Sequence, residues 1–410
     1  MKASVFDSLR HVVRQKQFDI KAINFSAYGA SFVYLDENGE PLCPLYNYLK
    51  PYPEILSSTF YHNYGGEGSF SLKTASPVLG SLNSGMQIYR IKKEKPRLFE
   101  KIKYALHLPQ YLSFLITGQY YTDITSIGCH TNLWDFPKKS YHDWVTLEGL
   151  DEKLPPLLPS DTVIGTEYRG RACQTGIGLH DSSAALIPYL ASFSEPFILL
   201  STGTWCISLN PFNNTSLTQR ELKNDCLSYI SYKGDPVKAS RVFAGNEHEQ
   251  QASRIASHFN QRSSFYKDLK FDHEIIRKLT SRPEYTDASV LQENKLAHSG
   301  FEKRNLNNYR TYKEAYHQLM IDLVAQQVYS TNLILGDGSV KRIFVDGGFG
   351  KNPIYMNLLA SSFPGMEVFA ASMAQATALG AALAIHRSWN LNPIPSDIIE
   401  LKYYSLTQPV

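Results

Sequence analysis

The chain has 410 residues, 43% hydrophobic and 19% charged, with a formal net charge of +3. That is two or three domains of ordinary globular sequence with enough apolar material for two cores, and a charge too small to make nucleic acid or an anionic membrane the main partner. There is no apolar run of transmembrane length, residues 1–13 lack the apolar core and cleavage site of a signal peptide, and five scattered cysteines with no C-x-x-C exclude zinc knuckles and a disulfide framework and predict a reduced, cytoplasmic setting.

Residues 5–14 read as an amphipathic helix with Phe6, Leu9, Val12 and Val13 on one face. Residues 20–25 (IKAINF) read as a buried strand, 26–29 as a turn, 32–35 as the returning strand and 36–39 as the next turn. Tyr28 and Gly29 fit plain turn chemistry. Residues 47–53 (NYLKPYP) fit an extended linker. A Gly-rich loop follows at 62–71, but G-x-x-x-x-G-K-[ST] occurs nowhere, which excludes a P-loop ATPase. In the helix expected at 81–91, Asn83 and Gln87 lie four apart on one face. Their amides can donate and accept, or simply form a solvated face. Residues 108–121 read as a helix closed by Gly118, with Asp123 and Thr125 as caps. Residues 150–175, with a double proline, form a connection.

The stretch 176–210 carries the strongest local signal. Gly176, Gly178 and Asp181 end a loop, and 182–190 read as a short helix rich in small residues. After a polar break, 197–200 form a strand, Ser201, Thr202 and Gly203 a tight turn, and 205–209 the returning strand. The N–H groups of such a turn can form an anion-binding concavity. Asp181 is either a general base for a hydroxyl proton or a helix N-cap. A boundary just after Leu190 puts a hinge between Asp181 and the hairpin.

Further on, 226–232 and 239–243 are strand-like and 245–259 enter a helix. Glu247, His248 and Glu249 do not complete H-E-x-x-H and fit a solvated first turn. Residues 265–308 are charged and irregular, and 312–335 form a long helix stopped by Gly336 and Gly338. In 342–363 a buried strand meets Gly347, Gly348 and Gly350, then Asn352 and Pro353 open a helix as cap and first-turn proline. This is one way folds hold a nucleotide. Residues 368–371 form a strand and 374–386 a helix of small residues. Gly380 inside it costs about 1 kcal/mol relative to alanine, so a close neighbour is expected.

Gly178, Asp181, Ala184 and Ala185, followed by Gly203 and Thr204, resemble the loop and second phosphate hairpin of the FGGY carbohydrate kinases. The form Thr202-Gly203-Thr204-Trp205 is most similar to the rhamnulokinase and fuculokinase branch. The resemblance implies an α/β fold of two ribonuclease-H-like (actin-like ATPase) domains with an interdomain cleft. Residues 1–190 would be the sugar-binding domain and 191–410 the nucleotide-binding domain. It implies Asp181 as general base and Thr202, Gly203 and Thr204 on phosphate, with Gly347, Gly348 and Asn352 in the adenosine motif. Tyr28, Gly29, Tyr48, Gln87, His180 and Asp181 are the implied sugar contacts. ATP and Mg²⁺ are the implied cofactors, with no metal ligand assigned on the chain. The implied partner is a small-molecule sugar, with a homodimer allowed. A ketose of L-rhamnulose or L-fuculose type leads, with xylulose, ribulose and glycerol open. The chain departs from the family in having no D-x-G-x-T hairpin, and in lacking the aspartate of W-x-D-x-R near 47–53. The first departure is read as a start codon placed too late, or else as a remnant with weak or no activity. An ATPase that drives conformational change and an inactive sugar-binding remnant are the rival classes.

Overall fold

The computed structural model describes residues 1–405 apart from 169, 282–298, 374 and 396. In the first half, helix α1 (Lys2–Val13) buries no residue. The apolar run at 20–25 does not form one strand. It splits into β1 (Ala22–Ile23) and β2 (Ser26–Ala27) around Asn24. The Asn24 Nδ2 donates to the Ala381 carbonyl at 2.8 Å, and its Oδ1 accepts from the N–H groups of Phe25 and Gly178 at 2.9 and 3.2 Å. A side-chain amide that bonds backbone in this way competes with the strand ladder and breaks it.

Strand β3 (Phe32–Leu35) forms where expected. Helix α2 (Ser84–Glu94) follows, and β4 (Tyr104–His107) pairs antiparallel with β3. An antiparallel pair, β5 (Val163–Tyr168) and β6 (Arg171–Gly176), takes β1 in parallel along β6, while β7 (Leu179–His180) runs parallel to β2. The core here is aromatic: Phe60 and Trp144 are fully buried, edge to face at 4.9 Å.

Helix α3 (Asp181–Ser192) leads into the second half. Its sheet contains β8 (Phe197–Thr202), β9 (Cys206–Asn210), β10 (Cys226–Ile230) and β11 (Pro236–Val242), then helices α4 (Ala244–His258) and α5 (Tyr312–Asn332), β12 (Arg342–Gly347), helix α6 (Pro353–Ser362), β13 (Glu367–Ser372), helix α7 (Ala376–Ala384) and β14 (Glu400–Tyr404). The strand order is β10-β11-β9-β8-β12-β13-β14. Strands β8, β12 and β13 are parallel, and the other neighbours are antiparallel. Covered on both faces, β8 reads as a continuous apolar run, as a central parallel strand should.

The pleat assigns its side chains to two cores. Ile198 and Leu200, with Ile343 and Val345, pack on α5 and α6 through Tyr316, Leu319, Ile354 and Leu359. Phe197, Leu199 and Phe344 face the other way and pack on Leu186 and Tyr189 of α3. The helix that begins with Asp181 is therefore fastened to the second sheet. Helix α7 crosses α3 so closely that a Cβ on Gly380 would lie 1.8 Å from the Ala184 carbonyl oxygen, which is the close neighbour the sequence demanded. Residue 374 and part of the irregular stretch 265–308 lie outside the described residues. Among the described residues no helix is long and apolar enough to cross a membrane, and all five cysteines are unpaired.

Candidate active site

Two glycine turns are joined into one unit by Thr202, the last residue of β8. Its carbonyl accepts the Gly348 N–H at 2.9 Å, while its hydroxyl donates to the Asp346 carbonyl at 2.5 Å and accepts from the Phe349 N–H at 3.0 Å. Gly347 has φ of +91°, and a Cβ there would stand 2.0 Å from the Thr202 carbonyl oxygen. Only glycine satisfies both conditions.

A cavity of about 840 Å³ opens over this unit, lined by Thr202, Gly203, Thr204, Gly348 and Asn352. Gly347 is not in its wall; it stands behind, giving room to Thr202. The Asn352 side chain is fully engaged. Its Oδ1 caps α6 by accepting from the N–H groups of Ile354 and Tyr355 at 3.0 and 3.2 Å, and its Nδ2 donates to the Tyr316 hydroxyl at 2.8 Å. That hydroxyl also meets His248 Nε2 at 2.8 Å, and Tyr266 stacks on the Tyr316 ring at 5.6 Å. Burial pushes His248 down to about 4, so its imidazole is neutral.

Among the described residues, Lys267 and Lys351 line the same cavity with Glu249. Turn N–H groups, two ammonium groups and aromatic faces suit a large anion carrying a planar ring. Sequence reasoning missed Tyr266 and Lys267, which lie in a stretch without periodicity. It set His248 aside as a solvated turn residue, whereas the structure places it half-buried in the cavity wall, bonded to Tyr316. The basic residue directly after Gly350 was the one available signal for Lys351.

The second cluster centres on Asp181. It is not the helix cap: His180 holds the N-cap position, Asp181 is the first helical residue, and no side chain caps α3. The Asp181 Oδ1 accepts from the Ser182 N–H at 2.6 Å and lies 3.3 Å from His180 Nε2. With its side chain 40% exposed, the carboxylate keeps an open face. His180 is buried, which holds its imidazole below the usual range and leaves it neutral, although Asp181 pulls the other way.

The His180 N–H donates to Thr125 Oγ1 at 2.9 Å, and the Thr125 hydroxyl donates to Asp123. Asp123 is fully buried and also accepts from the Ser126 N–H at 2.9 Å and the Ser160 hydroxyl at 2.5 Å. Burial pushes it up to about 6, against the pull of those donors. Two residues into α3, the Ser183 hydroxyl donates to the Ile230 carbonyl of β10 at 3.0 Å, and the His180 ring lies 5.7 Å from Tyr229. Asp181 thus stands where the first half meets the second sheet.

The remaining candidates divide. Gly29 lies under His180, where a Cβ would come within 2.9 Å of the ring. Tyr28 is 36% exposed and meets Tyr48 edge-on at 5.5 Å. Gln87 is fully buried, and its Nε2 donates to the carbonyls of Ala30 and Ser81 at 2.5 and 2.6 Å. Asn83 holds the Leu79 N–H and the His130 carbonyl. The amide face expected to be solvated or sugar-facing is therefore turned inward as a brace beside Gly29.

Residues 2–187 match the FGGY family of carbohydrate kinases, N-terminal domain, and residues 194–393 match carbohydrate kinase FGGY, C-terminal domain. The chain is 25% identical over 208 residues to the rhamnulokinase of Halalkalibacterium halodurans, covering 47% of this chain and 42% of that one. It is 24% identical over 204 residues to the L-fuculokinase of Escherichia coli, covering 45% and 40%. The matched region thus spans less than half the length of these curated relatives. Among solved structures, a carbohydrate kinase from Novosphingobium aromaticivorans superposes with a TM-score of 0.75 at 21% identity over 98% of this chain and 86% of that one. A xylulose kinase from Rhodospirillum rubrum gives 0.77 at 13% identity over 97% and 82%. At these identities the superpositions show the fold.

Proposed function

The chain belongs to the FGGY family of carbohydrate kinases, with the two-domain α/β fold of the actin-like ATPases, and from that premise we propose that it transfers the terminal phosphoryl group of ATP to a hydroxyl of a ketose. The observation carrying this reading is the partly open Asp181 carboxylate at the start of α3, on a helix packed against the sheet whose turns face the large cavity. We place the boundary between the sugar-binding and nucleotide-binding domains after residue 190, consistent with family matches that end at 187 and resume at 194.

In this reading Asp181 accepts the proton of the attacking hydroxyl, and neutral His180 orients it through the 3.3 Å contact. The Thr204 N–H, on the turn that the Gly203 and Gly348 backbone bonds hold in shape, meets phosphate oxygens, with Lys267 and Lys351 as counter-charge. Asn352 and Tyr316 position the base pocket. Tyr28, Tyr48 and His180 face the sugar, while Gly29 and Gln87 shape the loop behind it. The residues present fit ATP by donor set and size. Mg²⁺ would arrive with the triphosphate, keeping most of its waters, and would neutralise the transferred charge. Phosphoryl transfer from a chain of this kind needs no nucleic-acid or membrane partner; we assign it a cytoplasmic small-molecule role, as monomer or homodimer.

The hairpin residues Thr202 to Trp205 tilt the substrate toward L-rhamnulose or L-fuculose. A coupled ADP-release screen over L-rhamnulose, L-fuculose, xylulose, ribulose and glycerol tests this. Release with a six-carbon deoxyketulose supports it, and preference for xylulose or ribulose replaces the substrate. Sugar binding by calorimetry without ADP release would make the chain a sugar-binding remnant, and ADP release without any sugar would make it an ATPase.

A further inference from the structure

We propose that Cys129, His130 and His180 form a site for a borderline-soft divalent cation, zinc by preference, set against the Asp181 carboxylate. The Cys129 sulfur and one ring nitrogen from each histidine lie within 4.8 Å of one another. Ligand atoms at about 2.0–2.3 Å from a tetrahedral zinc stand about 3.3–3.8 Å apart, so side-chain movements of about 1 Å close the three on one ion. One sulfur and two imidazole nitrogens suit zinc or cobalt and not the hard Mg²⁺ of a phosphoryl-transfer site.

Two independent observations say that the cluster is built to receive something. The Nδ1 atoms of His130 and His180 are buried with no hydrogen-bond partner among the described residues. Such an orphan costs about 1–3 kcal/mol, which a bound cation removes from whichever nitrogen it takes. The cluster is also fixed by its surroundings. Cys129 is fully buried and His180 is 3% exposed. Gly29 lies so close that a Cβ there would be 2.8 Å from the Cys129 sulfur and 2.9 Å from the His180 ring. The Cys129 thiol donates to the Ser126 carbonyl at 3.2 Å, a bond from a weak donor that is given up when the sulfur binds a metal. On binding, the thiol proton leaves to solvent as the sulfur–metal bond forms, and both imidazoles enter neutral.

The Asp181 Oδ1 lies 3.3 Å from His180 Nε2. An ion held by His180 therefore fixes the imidazole that the carboxylate leans on and takes it from the sugar. Zinc is thus an inhibitor of turnover. This consequence rests on the kinase reading; the site itself does not.

The test is cobalt titration of the full chain after chelator treatment and dialysis. One equivalent is expected to give a sulfur-to-cobalt charge-transfer absorption with intense tetrahedral visible bands, displaced by zinc. Cys129→Ser is expected to abolish the charge transfer, His130→Gln to weaken cobalt binding roughly tenfold or more, and Cys43→Ser to change nothing. Absence of the charge-transfer band, or its survival in Cys129→Ser, overturns the site. If Cys129→Ser fails to fold, unchanged cobalt affinity in His130→Gln overturns it alone. Turnover with excess Mg²⁺ then separates the two claims. Zinc loss-of-activity that is reversed by a zinc-selective chelator and relieved in His130→Gln supports inhibition. A cobalt site with zinc-insensitive turnover overturns the inhibition alone, and a cobalt site with no turnover on any sugar overturns the kinase reading alone.

Discussion

Gly380 presses its Cα against the backbone of Ala184, leaving 1.8 Å between the position of a Cβ and the Ala184 carbonyl oxygen. The contact ties α7 to the helix that starts with Asp181, one turn away from that carboxylate. It explains why a residue that weakens a helix stands in the middle of one.

Gly380→Ala gains intrinsic helix propensity and still destabilises the fold, because the obstacle is backbone and cannot rotate away. A net loss of about 1–3 kcal/mol is expected in urea unfolding, together with lower turnover as α3 shifts. A gain in stability from this substitution would show that the two helices can separate at no cost.

Asp181→Asn keeps the oxygen that accepts the Ser182 N–H at 2.6 Å and removes the proposed base. Turnover is expected to fall about 10²- to 10⁴-fold, with thermal stability and nucleotide affinity close to those of the unaltered chain. Turnover within a few-fold of normal takes Asp181 out of the catalytic role.

Tyr316→Phe removes the hydroxyl shared by Asn352 and His248, each at 2.8 Å. Two half-buried nitrogens lose their partner, at a cost of about 1 kcal/mol. The loosened start of α6 should raise the KM for ATP with little change in kcat. Steady-state kinetics with ATP varied at saturating sugar, beside an unfolding curve, read both effects; if KM stays put, Asn352 is held by its capping bonds alone.

Asp123 has a folded-state value of about 6 against an ordinary 3.8. Its pKa is raised, so its contribution is fully present below the unfolded value and is lost as pH climbs through about 6. Between pH 4 and 7 the loss is about 2 kcal/mol. In Asp123→Asn that loss is absent. The stability difference between variant and unaltered chain should therefore move in the variant's favour across this window, measured by denaturant midpoints at pH 4, 5, 6 and 7. A constant difference would mean that the hydroxyl and N–H donors hold Asp123 ionised throughout.

Much of the fold could be read locally. The strand–turn–strand at Thr202, the cap-plus-proline at Asn352 and Pro353, the capping Asp123 and the anomalous Gly380 all depend on interactions within a few residues, whose rules are carried by the residues themselves. Periodicity at 312–335 likewise reports one helix against one core. Where a side chain bonds across the chain, that legibility ends. Asn24 broke an apolar run that looked like one strand because its partner is the distant Ala381 carbonyl. Gln87 and Asn83 shared a face that spacing alone could make sugar-facing or solvated, and packing turned it inward.

By itself, then, the sequence determined the two glycine turns and the carboxylate at a helix start, because turn chemistry and hydrophobic periodicity act over a few residues, and its family resemblance carried the α/β class. Only the tertiary structure decided that Thr202 welds the two turns together, that Tyr266 and Lys267 reach the cavity from an irregular stretch, and that Cys129 and His130 stand beside His180. Those are juxtapositions of residues tens to hundreds of positions apart. Spacing along the chain carries no distance between them until the cores have packed.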